Sequence, residues 1–524
     1  MKILLCQSGP KIGALKENIT TIQEQYKNAQ NSGADICVFP ELSTSGYLAE
    51  DLFLSASFIK EIQEHIHKLV KLTGKTCLLL PTPILKNGTL YNGVIAAMNR
   101  KIIGETYKQE LPNYGIFDEK RYFTAGIPQI IVINGFKTGV PICEDIWSTN
   151  VCNSLKQQGA QLFIAVNGSP FEKGKMAKRI KYAKQIFHET KTPIIYCNQA
   201  LAQDGIIFDG RSFCFDGNLN IIGKAFSTNC QIIELKENKF YPEKKHNTPL
   251  DKNEEIYMVM VMGVQAYIQA NGFSKVILGL SGGIDSAMVA AIAVDALGVD
   301  NVSALMLPSK FTSAESISDA YIIAERLKIT LKSIAINDIV DCFTATMSNA
   351  SSLNETSVTY QNLQARIRGT ILMAEANNTN ALLLTTGNKS EYATGYATIY
   401  GDMNGAFNPI KDIYKTELYE LASYKNILPP NILTKAPTAE LTPNQKDCDS
   451  LPKYTVLDRI LEKYIEQNQS KEELYKQFKP ELIEQVTRLV KNSEFKRRQS
   501  APGVKISTRS FDKDRRFPIT NSYR

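Results

Sequence analysis

The chain has 524 residues and a formal net charge of +7 at pH 7. Its length allows two or more domains with sizeable cores. So mild a charge does not indicate nucleic acid as a partner, since it suits anionic small substrates equally well. The N-terminal apolar run is too short for a signal peptide and no run approaches a membrane span, so we expect no membrane association. The ten cysteines form no CxxC pair, which excludes the common zinc and disulfide signatures and indicates a reducing, cytoplasmic location.

Residues 1 to about 240 alternate short apolar runs with amphipathic segments. The runs that predict strands are ILLCQ, DICVFPE, TCLLLPTP, GVIAAM, QIIVI, QLFIAVNGSP and TPIIYCNQ. Lys16–Asn31 and Phe58–Leu72 have the apolar spacing of helices. Such alternation predicts an α/β layered fold.

Three motifs stand at or just beyond the ends of predicted strands, where α/β folds gather their catalytic residues. They are FPELSTSGY with Glu41, YKQELPNYGIFDEKRYF with Lys108, and GVPICEDIW with Cys143. A cysteine thiolate attacks carbonyl carbon well once its proton is removed. The histidines lie outside these motifs, as His65, His67, His188 and His246. The available base is therefore the Glu41 carboxylate, with Lys108 to hold charge and stabilise an oxyanion.

Each of these residues also has a plain structural interpretation. An isolated cysteine is more often an inert core residue, a glutamate can cap a helix, and a lysine can be a surface charge. We expect His65 and His67 on a solvated helix face, and Trp147, the one tryptophan, in packing. A catalytic role for these residues is favoured over a structural one because the three motifs occur together and in order.

The three motifs resemble the nitrilase, or carbon–nitrogen hydrolase, superfamily. That resemblance implies an αββα sandwich in which Glu41 is the base, Lys108 the oxyanion stabiliser and Cys143 the nucleophile. It also implies a second carboxylate beside the lysine, for which Glu119 is the candidate. The positions that hold a substrate glutamine in that family would be Tyr114, Ser169 and Lys175.

Residues 241–255, YPEKKHNTPLDKNEE, are polar and contain two prolines, which predicts a linker. The expected division of the chain is a nitrilase-like domain over residues 1–245 and a second domain over residues 256–524.

The second domain centres on residues 276–287, VILGLSGGIDSA. VILGL predicts a buried strand, and residues 287–297 predict a buried helix. A glycine loop between them places backbone N–H groups and a helix N-terminus around a phosphate-sized anion. The loop has neither the GxxxxGK[ST] nor the GxGxxG pattern. Asp285 would repel a phosphate unless a metal ion lay between them, which indicates Mg²⁺ with a polyphosphate. A plain glycine turn is the alternative.

The string SGGIDS resembles the pyrophosphate-binding loop of the ATP-pyrophosphatase families. Beyond it, VSALMLPS and LKSIAIN predict further strands, with a helix over Ser313–Leu327 between them and another over Gln361–Asn377. These elements predict a doubly wound, Rossmann-like parallel sheet.

TTGNKSE and YGDMNGAFNPIKDIYKTEL resemble, nearly residue for residue, the synthetase domain of NAD synthetases. The whole chain thus resembles the glutamine-dependent members of that family. The activity implied is hydrolysis of glutamine, transfer of the ammonia to the second domain, adenylation of deamido-NAD by ATP with release of AMP and pyrophosphate, and amidation to NAD.

The resemblance also implies which side chains bind each substrate. The ATP phosphates would be held by Gly279, Leu280, Ser281, Gly282, Gly283, Ile284, Asp285 and Ser286, with Thr386 also binding ATP. Deamido-NAD would contact Asn362, Glu391 and Lys505, with Asp402 and Lys411 as further candidates. Mg²⁺ would be held by Asp285 and Glu391.

A mobile lid is expected in this family, and residues 433–454 form a polar, proline-bearing loop of suitable length. The basic run from Phe495 resembles the family's terminal segment, whose basic groups would face a dinucleotide pyrophosphate, and we prefer this to nucleic-acid binding. The resemblance further implies a homo-oligomer built through the first domain.

Two rival functions remain open. One is another amidotransferase ligase, such as GMP or asparagine synthetase, although those families use a Cys-His-Glu triad or an N-terminal cysteine, whereas Cys143 is internal. The other is a non-catalytic scaffold with a decayed first domain.

Overall fold

The computed structural model describes residues 1–347, 353–426 and 428–522. The chain forms two compact units, one of Met1–Leu201 with Ile207–Pro249 and one of Ala202–Ile206 with Leu250–Arg524.

Residues 1–249 form fifteen strands and four α-helices. The strands are β1 (Lys2–Gln7), β2 (Ile36–Val38), β3 (Cys77–Lys86), β4 (Thr89–Met98), β5 (Lys101–Tyr107), β6 (Ile130–Ile133), β7 (Phe136–Gly139), β8 (Leu162–Asn167), β9 (Ile194–Asn198), β10 (Ala200–Gln203), β11 (Ile206–Asp209), β12 (Phe213–Phe215), β13 (Leu219–Ile221), β14 (Asn229–Lys236) and β15 (Lys239–Pro242). The helices are α1 (Leu15–Asn31), α2 (Ala56–Leu72), α3 (Thr149–Gln157) and α4 (Lys175–Thr190).

Two sheets carry this unit, with strand orders β15-β14-β1-β2-β3-β4-β5 and β13-β12-β9-β8-β7-β6. Strands β1, β2 and β3 are parallel, as are β7, β8 and β9. One buried cluster joins residues of both sheets, among them Leu5, Val38, Ile164 and Ile195, so the sheets pack face to face. Helices α3 and α4 pack on the far side of the second sheet, and α1 and α2 contact β2 and β3 of the first. The predicted αββα sandwich is confirmed.

All seven runs predicted as strands in this half contain one, and both predicted helices are present within two residues of their expected starts. The prediction omitted β5, β7 and all strands from β10 onward. Strand β5 is mostly exposed and polar, and the other omitted strands except β14 have only three or four residues. Strand β14 alternates buried and partly exposed positions, so these strands lack the long apolar runs that reveal a buried strand.

The linker predicted over residues 241–255 was wrong at both ends. Tyr241 and Pro242 belong to β15, and a helix α5 (Lys252–Ala270) begins within the predicted linker. The Asp251 side chain accepts hydrogen bonds from the backbone N–H groups of Asn253 and Glu254. An aspartate that caps a helix in this way was readable in the sequence LDKNEE.

The second unit contains a four-stranded parallel sheet in the order β18-β17-β16-β19. Its strands are β16 (Val276–Gly279), β17 (Val302–Met306), β18 (Thr330–Ser333) and β19 (Leu382–Leu384). The helices after α5 are α6 (Ile284–Leu297), α7 (Ala314–Leu327), α8 (Asn337–Met347), α9 (Val358–Thr379), α10 (Lys389–Thr394), α11 (Lys415–Lys425), α12 (Pro430–Thr434), α13 (Tyr454–Leu461), α14 (Lys471–Tyr475), α15 (Pro480–Asn492) and α16 (Glu494–Arg497). Strand order reverses beside β16, so the predicted doubly wound sheet is confirmed.

Helix α6 begins at Ile284, three residues before its predicted start, because Asp285 and Ser286 belong to its first turn. An acidic side chain is favourable there, next to the positive end of the helix dipole. Among the helices of the described residues, none combines the length and hydropathy that a membrane span requires.

Candidate functional site

Three charged side chains meet in the interior of the first unit. Glu41 follows β2, Lys108 follows β5, and Glu119 lies in a 3₁₀ turn; all three are buried. The Lys108 Nζ lies 2.7 Å from an Oε1 of each glutamate. Glu41 also accepts hydrogen bonds from Asn92 Nδ2 at 2.8 Å and, on its other oxygen, from the backbone N–H of Gly168 at 2.8 Å. The Lys108 ammonium thus forms ion pairs with both carboxylates.

The close contact between the Lys108 ammonium and the two carboxylates affects the pKa values of Lys108 and Glu119. Burial alone would lower the pKa of Lys108, but the charges of Glu119 and Glu41 raise it well above its usual range. Burial raises the pKa of Glu119, opposed by the Lys108 charge. The Tyr47 hydroxyl donates to Glu119 Oε1 at 2.5 Å, so the carboxylate is held from two sides. Sequence reasoning missed Tyr47, although it belongs to the FPELSTSGY motif.

Cys143 opens a 3₁₀ turn, Cys143–Ile146, just after β7. Its φ of 45° is in the left-handed region, which a residue with a side chain rarely adopts and which occurs often at active sites. Burial and the charge of Glu41 raise the pKa of the thiol well above its usual range, while the Lys108 charge opposes this. The resting thiol is therefore protonated, and it needs a base when it attacks.

The predicted glutamine-binding residues surround the same turn. The Tyr114 hydroxyl donates to both carboxylate oxygens of Glu144, at 3.0 and 3.1 Å. Lys175, the first residue of α4, stacks its Nζ 4.6 Å from the centre of the Trp147 ring and lies 3.6 Å from Glu172. Trp147 therefore makes a cation–π contact with Lys175 in addition to its packing contacts. A carboxylate and an ammonium are thus both available to a ligand in this region.

Ser169 is held in place by a buried arginine. Arg179 donates through Nε to the Ser169 hydroxyl at 3.1 Å and through another nitrogen to its carbonyl at 2.7 Å. The guanidinium charge is balanced by Asp209 at 2.7 Å. Sequence reasoning missed Glu144 as well, although it directly follows Cys143 in the motif.

The predicted phosphate loop joins β16 to α6. Gly282 has a φ of 81°, and a Cβ there would lie 2.2 Å from the Ser316 carbonyl oxygen, so no side chain fits at this position. The Ser281 and Ser286 hydroxyls are 3.1 Å apart, and Ser281 Oγ accepts from the Gly283 N–H at 3.3 Å. These contacts fix the loop with the N-terminus of α6 open to an anion.

A second charged cluster lies beside this loop. Asp285 accepts a hydrogen bond from Asn388 Nδ2 at 2.8 Å and pairs with the ammonium of Lys415. Glu391 lies 4.0 Å from that ammonium and accepts from the Asn388 N–H at 3.1 Å, which makes it the second member of a capping box on α10. Burial and the charge of Asp285 raise the pKa of Glu391 well above its usual range. Negative charge is therefore in excess here.

That excess suits Mg²⁺, which binds to one or two protein carboxylates and completes its coordination with water and phosphate oxygens. Within the described residues, no group of three or more His, Cys, Asp or Glu side chains is arranged to hold a metal by itself. Asp285 and Glu391 therefore fit a metal brought in with a polyphosphate, and not a dedicated metal cage.

A cavity of about 320 Å³ extends from the phosphate loop. All eight residues of the loop from Gly279 to Ser286 line it, together with Thr386, Glu391 and Asp402. Burial raises the pKa of Asp402 to about 6. The sequence did not assign Arg368 and Lys415, which also line the cavity. Burial lowers the pKa of Arg368 to about 10, so an anionic ligand would compensate this buried cation.

Three of the residues predicted to contact deamido-NAD are outside the lining of that cavity in the described part of the chain. Asn362 accepts from the Thr398 hydroxyl at 2.9 Å. Lys505 pairs with Asp514 at 2.6 Å. Lys411 donates to the Ala501 carbonyl at 2.6 Å. The structure therefore brings Glu391 and Asp402 to the cavity and places the other three in internal contacts.

The predicted lid borders the cavity through residues 435–441 and Asp447. Glu440 accepts hydrogen bonds from the hydroxyls of Ser313 and Ser316 at 2.8 Å each. Lys435 donates to Ser316 Oγ at 2.7 Å. The lid is thus attached to the N-terminal turn of α7, which also touches the phosphate loop at Gly282.

Comparison with known proteins covers both units. A family model described as carbon-nitrogen hydrolase matches residues 2–234, and one described as NAD synthase matches residues 256–500. The glutamine-dependent NAD(+) synthetase of Acinetobacter baylyi is 41% identical over 534 residues, covering 100% of this chain and 99% of that protein. That of Thermotoga maritima is 39% identical over 572 residues, covering 100% and 99%.

Solved structures give the same result. The glutamine-dependent NAD+ synthetase from Acinetobacter baumannii, in complex with adenosine diphosphate, matches with a TM-score of 0.80 and 38% identity over 99% of this chain and 98% of that one. The enzyme of that name from Cytophaga hutchinsonii matches in fold, with a TM-score of 0.83 at 22% identity over 100% and 98%. The chain therefore belongs to the family of the glutamine-dependent NAD(+) synthetases.

Proposed function

We propose that this protein makes NAD from deamido-NAD and ATP, using ammonia that its first unit releases from glutamine. The observation that carries the proposal is the pairing of two sites in one chain. One combines Cys143 with the buried Glu41–Lys108 cluster, and the other combines a phosphate loop with carboxylates that suit Mg²⁺.

In the first unit, Glu41 takes the thiol proton as the sulfur of Cys143 attacks the side-chain amide carbon of glutamine. Lys108 stabilises the oxygen that becomes negative in the tetrahedral intermediate. The amide nitrogen receives the proton and leaves as ammonia, giving a thioester. Water then attacks the thioester, and glutamate leaves while the thiol is restored. Tyr47 and Glu119 position Lys108 for both steps.

Glutamine is recognised through the charges of its α-carboxylate and α-ammonium groups. Its α-carboxylate would pair with the ammonium of Lys175, and its α-ammonium with the Glu144 carboxylate, which the Tyr114 hydroxyl already orients. Such charge-assisted hydrogen bonds are the strong ones. These two charges would favour a free amino acid over an amide that lacks either charge.

In the second unit, the loop from Gly279 to Ser286 and Lys415 would hold the ATP phosphates, and Thr386 would contact the nucleotide. Asp285 and Glu391 would hold Mg²⁺, which supplies charge neutralisation on the phosphate oxygens when bound. The nicotinate carboxylate attacks the α-phosphorus and pyrophosphate leaves. Ammonia then attacks the carbonyl of the adenylate and AMP leaves. Arg368, which lines the same cavity, would face this negative charge.

Glutamine use should depend on the charge of Lys175. Burial lowers the pKa of Lys175, so its ammonium is lost at a lower pH than that of an ordinary lysine, near 10.4. The KM for glutamine should therefore rise as pH goes from neutral into the alkaline range. In Lys175→Met, this KM should be about 10- to 100-fold higher already at neutral pH, since a charged hydrogen bond is lost, and it should vary less with pH.

Lys178→Met is the matched control, because Lys178 lies on the same helix and pairs with the same Glu172, but is exposed. Its KM for glutamine should equal that of the wild type. An unchanged KM in Lys175→Met, measured by glutamate release, would rule out the assigned role of Lys175.

The experiment that tests the proposed function is synthesis of NAD from deamido-NAD, ATP, Mg²⁺ and a nitrogen donor, with AMP and pyrophosphate followed alongside. One AMP and one pyrophosphate should form for each NAD.

A further inference from the structure

Three cysteines lie side by side on one face of the first sheet. Strands β14, β1 and β2 are neighbours, and they carry Cys230, Cys6 and Cys37 respectively. Cys6 stands directly opposite Cys230 in the antiparallel pair, so both side chains point to the same face. Cys37 stands opposite Leu4, which shares that face with Cys6. We call Cys6, Cys37 and Cys230 the cysteine row.

The thiols of the row lie close together. Cys6 and Cys230 are directly opposed across the strand pair, and the sulfurs of Cys6 and Cys37 are 4.0 Å apart. Cys6 and Cys37 are buried, whereas Cys230 is exposed. A solute can therefore reach the row at Cys230, and Cys6 is the thiol placed to react with Cys230 once Cys230 has been oxidised.

Backbone geometry selects the pair that can be joined. Directly opposed antiparallel residues have Cα atoms about 4.5 or 5.5 Å apart, inside the range of about 4.4–6.8 Å that a disulfide spans. Cys37 is displaced from Cys6 by two residues along the strand. With a rise of about 3.3 Å per residue and about 4.8 Å between strands, their Cα atoms are roughly 8 Å apart. That separation is too long for a disulfide without backbone movement.

We propose that Cys6 and Cys230 form a reversible oxidation site, a dithiol that hydroperoxides convert to a disulfide. The sulfur of Cys230 attacks a peroxide oxygen, the O–O bond breaks, and hydrogen peroxide yields a sulfenic acid and water. The sulfur of Cys6 then attacks that of Cys230, and the sulfenic oxygen leaves as a second water with the Cys6 proton. In total, two thiols and one hydrogen peroxide give one disulfide and two waters.

The bond should be easy to reduce. Opposed residues in a sheet have Cβ atoms about 4.5–5.5 Å apart, whereas a disulfide prefers about 3.5–4.5 Å. Strained disulfides have the higher reduction potentials and are the labile ones. The site therefore suits a reversible response to oxidant in a protein whose cysteines are otherwise free.

The test treats the full-length protein with hydrogen peroxide, blocks the remaining thiols by alkylation, and maps peptides without reduction. Mildly alkaline pH is chosen because the thiolate, and not the thiol, is the nucleophile in this reaction. The peptides of Cys6 and Cys230 should be recovered joined, and dithiothreitol should release both as free thiols.

Two variants separate this site from general oxidation. Cys230→Ser should leave Cys6 fully open to alkylation after denaturation, with no crosslink to Cys37. Cys342→Ser removes an exposed cysteine on α8, and the Cys6–Cys230 crosslink should form as in the wild type. A crosslink from Cys6 to Cys37, or oxidation of Cys230 to a sulfinic acid with Cys6 left free, would overturn the proposal.

Discussion

Replacing Cys143 with alanine should abolish glutamine-dependent NAD synthesis and leave ammonia-dependent synthesis intact. Loss of the nucleophile removes the thioester route, so glutamine hydrolysis should fall by about 10⁴-fold or more. Added ammonium chloride bypasses the first unit, because the phosphate loop and its carboxylates belong to the second. Glutamate release and NAD formation, measured on the same preparation with each nitrogen donor, check both halves of this prediction.

Cys152→Ala is the matched control for this variant. Cys152 is a buried cysteine of α3 in the same unit, so its removal tests the loss of a buried thiol without touching the Glu41–Lys108 cluster. It should keep both activities. If ammonium failed to restore NAD synthesis in Cys143→Ala, the proposed division of labour between the units would be wrong.

Asp285→Asn should impair NAD synthesis and spare glutamine hydrolysis, which is the reverse of the effect expected for Cys143→Ala. The amide keeps the shape of the side chain but cannot balance the Lys415 ammonium or share a cation with Glu391. NAD synthesis should fall by about 10²- to 10³-fold with either nitrogen donor, as is usual when a charge that stabilises a transition state is removed. Hydrolysis of glutamine should persist, because none of its groups is altered.

Asp295→Asn supplies the comparison on the same helix. Asp295 accepts from the Tyr257 hydroxyl at 2.9 Å and from Lys425 at 3.2 Å, away from the phosphate loop. This variant should synthesise NAD at the wild-type rate. Undiminished synthesis in Asp285→Asn would remove the Asp285 carboxylate from the ligase mechanism.

The first unit was the more predictable part of the molecule. Glu41 follows β2, a buried parallel strand that is apolar enough to be recognised in a sequence. Lys108 and Cys143 follow β5 and β7, which were not predicted as strands, and they were found through their motifs. The partners of these residues were not predictable in this way. Tyr47 and Glu144 act through contacts with Glu119 and Tyr114, and such contacts between distant segments leave no periodic signal.

In the second unit, the phosphate loop was recognised because its residues are consecutive in the sequence. The side chains that surround the loop come from distant parts of the chain. Asp285 meets Asn388 and Lys415, which are 103 and 130 residues away in the chain. Lys505 is a further example: the family resemblance places it at the dinucleotide, and in the structure its ammonium pairs with Asp514. A motif identifies which groups are present, and folding decides which of them are already paired.

The most direct test of the central claim is NAD synthesis from deamido-NAD, ATP and Mg²⁺, with glutamine and ammonium chloride supplied in parallel reactions. We predict NAD with both donors, with AMP and pyrophosphate formed in equal amounts and glutamate formed in the glutamine reaction. Formation of NAD with ammonium but not with glutamine would contradict the coupling of the two units. No NAD with either donor would contradict the assignment of the acceptor itself.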